Sequence, residues 1–356
     1  MRIVMSSLKF SPGHLSHIIA YAKLFEKIGW NVLLWLDERY RPIISDCEFP
    51  IKWYPQSLQE NINAIFLANV SITNHIICKE LKKRKTKIIY LYHEPWEGFK
   101  QYLKEGVKQA LKAAVAHHFS VKTLKFSNLV IVPSDYALNL YMRRDMQYNK
   151  NVIVIPLLFE DEASGKIDFL KKEYFSYIGH AVKGHAFDLY INLIKYMYKQ
   201  GVEMKYEIAT RTNLSKLLKK DKTLQRMVKD RVLKVSHGRP LTNSEINQAY
   251  ERGFCVWNIY RRSTQSRVLP KAYMFGTPVI ASNIGSFPEF VESGKTGQIV
   301  SLGKVSYEGL VEKLLEIKTN IRSYSKNTRD FFLKVFYYKS YVEKMQNEIL
   351  SGLLNK

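Results

Sequence analysis

Three things are scarce in this chain, and each scarcity closes off a class of protein. Its 356 residues include only three cysteines, Cys47, Cys78 and Cys255, an odd number set far apart. That argues against a disulfide framework or a cysteine-ligated zinc site and fits reduced thiols in a cytosolic protein. Long apolar runs are missing as well. Lys or His interrupts each stretch well before the roughly 18 residues that a spanning helix needs. No apolar leader follows Met1, since Arg2-Ile3-Val4-Met5 opens directly as a strand. A cytoplasmic protein is therefore expected. The third shortage is acid: 32 Asp and Glu stand against 55 Lys and Arg, a net charge of +23. An excess of that size points to an anionic partner, whether nucleic acid, lipid headgroups or a diphosphate. No nucleic-acid motif accompanies the charge, and a nucleic-acid partner is not expected.

What is present alternates between short apolar runs and periodic amphipathic stretches. A strand is expected over 1–6, a loop at Ser11-Pro12-Gly13-His14 and a helix over 14–28. Leu15, Ile18, Ile19, Ala22, Leu24 and Phe25 give that helix one apolar face at 3.6 spacing. Strands over 31–36, 87–92 and 128–133 and helices over 61–85 and 101–126 continue the pattern. From 156 to 172 the text is polar and irregular, with Glu160-Asp161-Glu162. Strands over 174–178, 205–209, 232–236 and 254–257 then alternate with helices over 185–200, 213–229 and 243–252. Residues 323–354 read as helix. At 46% hydrophobic, a chain of this length can bury two cores. Strict alternation means α/β architecture with mostly parallel sheets. We expect a first domain over 1–158, a linker over 159–172 and a second domain over 173–334. A last helix over about 335–356 is expected to return to the first domain.

In open parallel sheets, ligands sit at the carboxyl ends of the strands. His93 ends one predicted strand and so lies on that edge. Gly13 occupies the first strand–helix turn, where a glycine lets backbone approach a ligand. Pro278-Val279-Ile280-Ala281 is a buried-strand run, ended by the turn Asn283-Ile284-Gly285. Ahead of it, Thr264-Gln265-Ser266-Arg267-Val268 leads into a short helix whose free N–H groups suit phosphate.

Two stretches carry a resemblance. They are STQSRVLPKAYMFGTPVIASNIGSFPEFVESGKTG, from Ser263 to Gly297, and Tyr177-Ile178-Gly179-His180-Ala181-Val182-Lys183-Gly184. Together they resemble the donor-site elements of retaining GT-B glycosyltransferases of the family 4 type. The resemblance implies two Rossmann-like domains facing across a cleft. It also implies transfer of a sugar, expected to be a hexose, from a UDP- or GDP-sugar, with neither metal nor cofactor. The acceptor would be a glycan or lipid-linked glycan in surface polysaccharide or glycoconjugate synthesis. Gly13 would face the donor diphosphate and His93 the transferred sugar, making His93 and Lys183 the catalytic candidates. Lys183 would neutralise diphosphate, with His180 standing where relatives have Arg. Thr264, Gln265, Ser266, Arg267 and Val268 would cradle phosphate and sugar. Arg239 falls in the loop that packs on the nucleobase. Relatives of the commoner subtype place two glutamates on sugar and ribose, where this chain has Ser263 and Lys271. That departure leaves a second reading, a noncatalytic GT-B subunit that stabilises an active partner.

The basic excess concentrates in places. Lys104, Lys108 and Lys112 recur every four residues on the predicted helix 101–126, and Lys79 to Lys87 form a second basic run. Each lysine near an anionic bilayer contributes about 1 kcal/mol of attraction. Peripheral attachment to the inner face of the cell membrane is the expectation that follows.

Overall fold

The computed structural model describes residues 1–44, 47–58, 61–103, 106–163 and 167–349. Its chain divides into two compact units, Met1–Glu160 with Phe336–Lys356, and Asp161–Val335. In the first, strands β1 (Arg2–Ser7), β2 (Asn31–Asp37), β3 (Ile51–Tyr54), β4 (Ala64–Leu67), β5 (Lys87–Leu91), β6 (Leu129–Val132) and β7 (Val152–Val154) form one sheet. Their order is β3-β2-β1-β4-β5-β6-β7. In the second, β8 (Tyr174–Ile178), β9 (Lys205–Ala209), β10 (Leu233–Ser236), β11 (Gly253–Asn258), β12 (Val279–Ser282) and β13 (Gly297–Val300) pair as β10-β9-β8-β11-β12-β13. Neighbouring strands in both sheets run parallel. This is the doubly wound order of a Rossmann fold, repeated. The strand sequence reverses between β1 and β4 and between β8 and β11, where such sheets bind ligands.

Helices cover the sheets, so the strands are apolar on both faces. Val4, Leu33, Ile65, Tyr90 and Val130 are buried in one core, and Phe175, Tyr190, Tyr206, Trp257 and Ile280 in the other. No helix among the described residues is long and apolar enough to cross a membrane.

Several elements differ from the sequence expectation. The helix expected over 61–85 is strand β4 followed by helix Ile72–Lys83. Ala64-Ile65-Phe66-Leu67 is too short to reveal its own period, and the sheet claims it by burying every residue. Ser71 starts the helix, its side chain accepting from the Thr73 N–H at 3.2 Å. Strands β3 and β7 and helix Asp135–Arg144 had no place in that expectation. The helix expected over 101–126 is two, Phe99–Leu103 and Val107–Phe126, with Gly106 between them at φ +111°. Asp221 divides the helix expected over 213–229, because its carboxylate takes the N–H groups of Thr223 and Leu224 at 3.1 Å. The tail runs as Ile321–Phe331, a wider turn at Phe332–Phe336 and Val342–Glu348. Residues 350–354 of the expected tail helix lie outside the described residues. In the first unit, Phe159 pairs with this tail, donating its N–H to Phe336 O at 2.9 Å and accepting from Tyr338 N–H at 3.1 Å.

The segment leading into β8 is tied into the second unit. Asp161 forms an ion pair with Arg329 at 2.5 Å. Lys172 is buried, and its Nζ donates to Thr277 Oγ1 at 2.8 Å, Phe275 O at 3.0 Å and Gly253 O at 3.3 Å. That amine holds the end of helix Val268–Met274 against the start of β11. Burial pulls it down to about 7 from its ordinary 10.5. Its folded value lies below the unfolded one, so the unfolded chain binds more protons between those values and stability rises with pH there.

Lys172→Met keeps the stem and deletes the donor. Each carbonyl left without a partner costs about 1–3 kcal/mol, so urea unfolding followed near pH 7 should show a lower midpoint for the second unit. Between about pH 7 and 9 the parent should gain stability and the variant should lose that gain. Parallel pH profiles for the two proteins would reject this role for the amine.

Candidate functional site

The second unit brings two sequence-predicted segments together at its point of strand reversal. Behind β8, Gly179 sits at φ +129°, a conformation open to glycine, and a Cβ there would touch the Val268 side chain at 3.8 Å. The turn is held at one carbonyl: His180 O accepts from Tyr177 Oη at 2.7 Å and from the Val182 N–H at 3.0 Å. Behind β11, Arg261 reaches across to this turn. Its guanidinium forks onto Asp188 with two bonds of 2.7 Å and also donates to Lys183 O, while its N–H donates to Gly184 O at 2.8 Å. The His185 ring stacks on Tyr260 at 4.3 Å and 13°. Lys183 and the 264–268 segment are thus positioned by the same fork and stack.

The segment Thr264-Gln265-Ser266 has an unusual polar inventory. Among the described hydrogen bonds, its three backbone N–H groups have no acceptor within the protein. The Gln265 side-chain Nε2 and Oε1 are both buried and unpartnered. Buried polar groups normally find partners, and consecutive N–H groups in a turn form a concavity that suits an anion. The turn at Gly285 braces this backbone from behind: a Cβ there would fall 1.9 Å from Ser263 O. Thr264 is buried, and Val268 opens the helix.

Three expected roles change. The Ser266 hydroxyl is buried, donates to Asn258 Oδ1 at 2.9 Å, lies 3.1 Å from Tyr260 Oη and accepts from the Val268 N–H at 3.1 Å. It therefore shapes the turn from inside, and the segment's backbone is what remains available. Lys271 pairs with Glu162 at 2.5 Å and lies over the Phe275 ring. Arg239 forks onto Glu245, with Nη1 to Oε2 at 3.0 Å, and holds that carboxyl down to about 2. Glu245 also accepts from the Thr242 N–H at 2.8 Å, so Arg239 is part of the start of helix Asn243–Arg252. Each of these two cations thus already has a carboxylate partner within the second unit.

The positive charge is distributed differently from the expectation too. Lys183 is exposed, and among the described residues no carboxylate pairs with it. Desolvation, then the charge of Arg211, lowers the His180 imidazole from its usual value. Both effects favour the neutral ring of His180. Arg211, just after β9, is exposed and has no carboxylate partner among the described residues. Sequence reasoning overlooked it, although its place at a strand's carboxyl end was a usable signal. Arg267 sits at the helix start, and its charge acts on the Tyr250 and Tyr260 phenols.

In the first unit, Gly13 lies in the tight turn Pro12–His14, which a short loop joins to β1. Tyr40 and Asn69 staple the preceding loop. Tyr40 Oη accepts from the Ser11 N–H at 2.9 Å, and Asn69 Nδ2 donates to Ser7 Oγ and Lys9 O, each at 2.9 Å. His93 follows β5, with its ring 5.3 Å from that of His14, so the Gly13 turn and His93 meet. The loop beyond is held by Trp96, which stacks between Tyr102 at 4.9 Å and His117 at 5.0 Å.

Residues 173–320 match the family described as glycosyl transferases group 1. No curated protein matches the sequence. Among solved structures, sucrose-phosphate synthase from Thermosynechococcus elongatus superposes with TM-score 0.73 at 14% identity, covering 100% of both chains. Anabaena HepE, solved with UDP and glucose, gives TM-score 0.68 at 14% identity over 99% of each chain. WaaG, a glycosyltransferase involved in lipopolysaccharide biosynthesis, gives 0.67 at 13% identity, covering 98% of this chain and 100% of its own. At these identities the likeness is one of fold. Residues 173–320 therefore resemble the glycosyl transferases group 1 family, and the chain as a whole has the GT-B fold, two Rossmann-like α/β units each built on a parallel sheet.

Proposed function

We propose that this protein is a retaining glycosyltransferase that moves a hexose from a UDP- or GDP-sugar to a hydroxyl of a glycan or lipid-linked glycan. The observation that carries the reading is the set of open N–H groups on Thr264, Gln265 and Ser266, beside a buried and unpartnered Gln265 amide. These groups lie at the strand reversal of a unit whose family handles nucleotide sugars. HepE was solved with UDP and glucose, which supports the same donor class here.

The donor diphosphate requires positive charge, and in this reading side chains supply it without a metal or other cofactor. Lys183, Arg211 and Arg267 provide cations, and the 264–266 backbone provides fixed dipoles. As the bond from the anomeric carbon to the diphosphate oxygen breaks, charge grows on the leaving oxygen. Preorganised donors stabilise that charge most in a water-poor site. His180 contributes a neutral hydrogen bond. In the first unit, the resemblance assigns His93 to the sugar, and its contact with His14 orients the ring. Gly13 is kept as the backbone approach to the donor. Attachment at an anionic membrane through Lys108 and Lys112 belongs to the same reading, which suits a cytoplasmic enzyme working on lipid-linked glycan in surface polysaccharide synthesis. Lys104 lies outside the described residues.

Calorimetric titration with UDP, GDP and their sugars tests the core of the reading. One of the two nucleotides should bind. Failure of both in folded protein would leave the noncatalytic subunit instead. Lys183→Ala and Arg211→Ala should each weaken binding by about 1.5–3 kcal/mol, the usual worth of a charge-assisted contact. An unchanged affinity removes that residue from the site.

His93→Ala should lower kcat at saturating donor and leave nucleotide affinity near the parent value, because its partner is the sugar. Nucleotide binding lost with turnover intact would overturn the assignment.

A further inference from the structure

The long helix Val107–Phe126 presents two stripes to solvent. Val107, Leu111 and Val115, four residues apart, stand 64%, 56% and 54% exposed. Lys108 and Lys112 follow one position on, about 100° round the helix, and both are exposed. The helix contains no Asp or Glu. An amphipathic helix normally turns its apolar stripe to the core. Here the buried side is made of Ala110, Ser120, Thr123 and Leu124, and the larger aliphatics point the other way.

The pattern continues on the elements packed beside it. Helix Phe99–Leu103 contacts the long helix and exposes Phe99 and Leu103. Helix Ile72–Lys83 also packs there, joined by the His75 and Phe119 rings at 5.4 Å, and exposes Ile72 and Ile76. Single exposed aliphatics are ordinary on any protein. Aliphatics on successive turns, rimmed by charge of one sign, mark a contact surface.

We propose that this face enters the boundary between headgroups and acyl chains of an anionic lipid leaflet. Val107, Leu111 and Val115 insert, and Lys108 and Lys112 meet the headgroups. The inference rests on the membrane attachment proposed above and deepens it by adding penetration to charge attraction. Charge selects the occupant. A second copy docked through the same face about a two-fold axis would set this acid-free, lysine-bearing helix against its own image, in a chain of net charge +23. An anionic leaflet offers apolar depth under negative headgroups, which is the complement of these two stripes.

Flotation of the full chain with phosphatidylcholine vesicles, with and without phosphatidylglycerol, tests this at low and high salt. The parent should float with anionic vesicles and keep part of its binding at high salt, because salt screens the lysines and not the aliphatic contact. The triple variant Val107→Ser, Leu111→Ser, Val115→Ser should lose about tenfold or more of its partitioning at both salts. The pair Lys108→Gln, Lys112→Gln should lose binding mainly at low salt. Melting temperature and nucleotide affinity, unchanged in all variants, control for folding. Serine variants that float like the parent would overturn the proposal. So would a parent that is dimeric in lipid-free buffer beside a monomeric serine variant, which would assign the stripe to a second copy. Because nucleotide binding is read separately, failure of the donor site and failure of this surface give different results.

Discussion

Every paired strand in both sheets runs parallel, and that constraint decides where chemistry can be placed. Parallel neighbours need a crossover between them, and the crossing helices cover both faces. The central strands are then largely apolar, as at Val4, Ile65, Phe175 and Ile280, and polar function is displaced to the strand ends. At the carboxyl ends the strand order reverses, so two loops diverge and leave a crevice. In the second unit those loops begin at Gly179 and after Asn258, and they carry the glycine turn and the open N–H groups. At the opposite end, buried Lys172 locks the start of β11 to the helix that follows the site. One end of the sheet is closed by hydrogen bonds, and the other is left polar and receptive.

The same physics explains what could be read in advance. Strand 174–178, strand 205–209 and helix 243–252 were legible because each has a local signature. The strands are apolar runs bounded by punctuation, and the helix carries its own start signal in Thr242 and Glu245. Strand β4 was not legible. Four apolar residues fit a helix or a strand equally well, and only pairing with β1 and β5 decides. Ser71 and Ser134 cap helices Ile72–Lys83 and Asp135–Arg144, and a serine at each start was a usable signal.

For the candidate site, position was legible and partnership was not. Placing Lys183, Gln265 and His93 after strands needed only the alternation of elements and the motif. Whether Lys271 or Arg239 remains open to a ligand depends on Glu162 and Glu245. The first of these is brought up by a segment far away in sequence. Ser266 is similar: its hydroxyl is drawn inward by Asn258 and Tyr260, so its backbone and not its side chain stays available. Arg211 carried no motif, and its significance comes from the lowered imidazole of His180 beside it.

The acid shortage ties these observations together. Several of the few carboxylates are committed to internal forks and pairs: Asp188 to Arg261, Asp161 to Arg329, Glu207 to Arg252 and Asp221 to Lys195. Such pairs fix geometry more than they add stability, because desolvating both ions offsets much of their attraction. The Asp188 fork shows what the geometry is for, since it sets the turn that presents Lys183. With the acids occupied in this way, much of the basic excess has no internal partner. The Asp188–Arg261 fork holds the turn of Lys183, and Lys183 and Arg211 stand after β8 and β9 with no carboxylate partner among the described residues. A cation held there by rigid backbone needs little reorganisation when negative charge arrives, and that is the condition under which electrostatic stabilisation is strongest. The composition imbalance and the local geometry are therefore one feature seen at two scales: carboxylates brace the scaffold, and bases such as Lys183 and Arg211 stand exposed at strand ends.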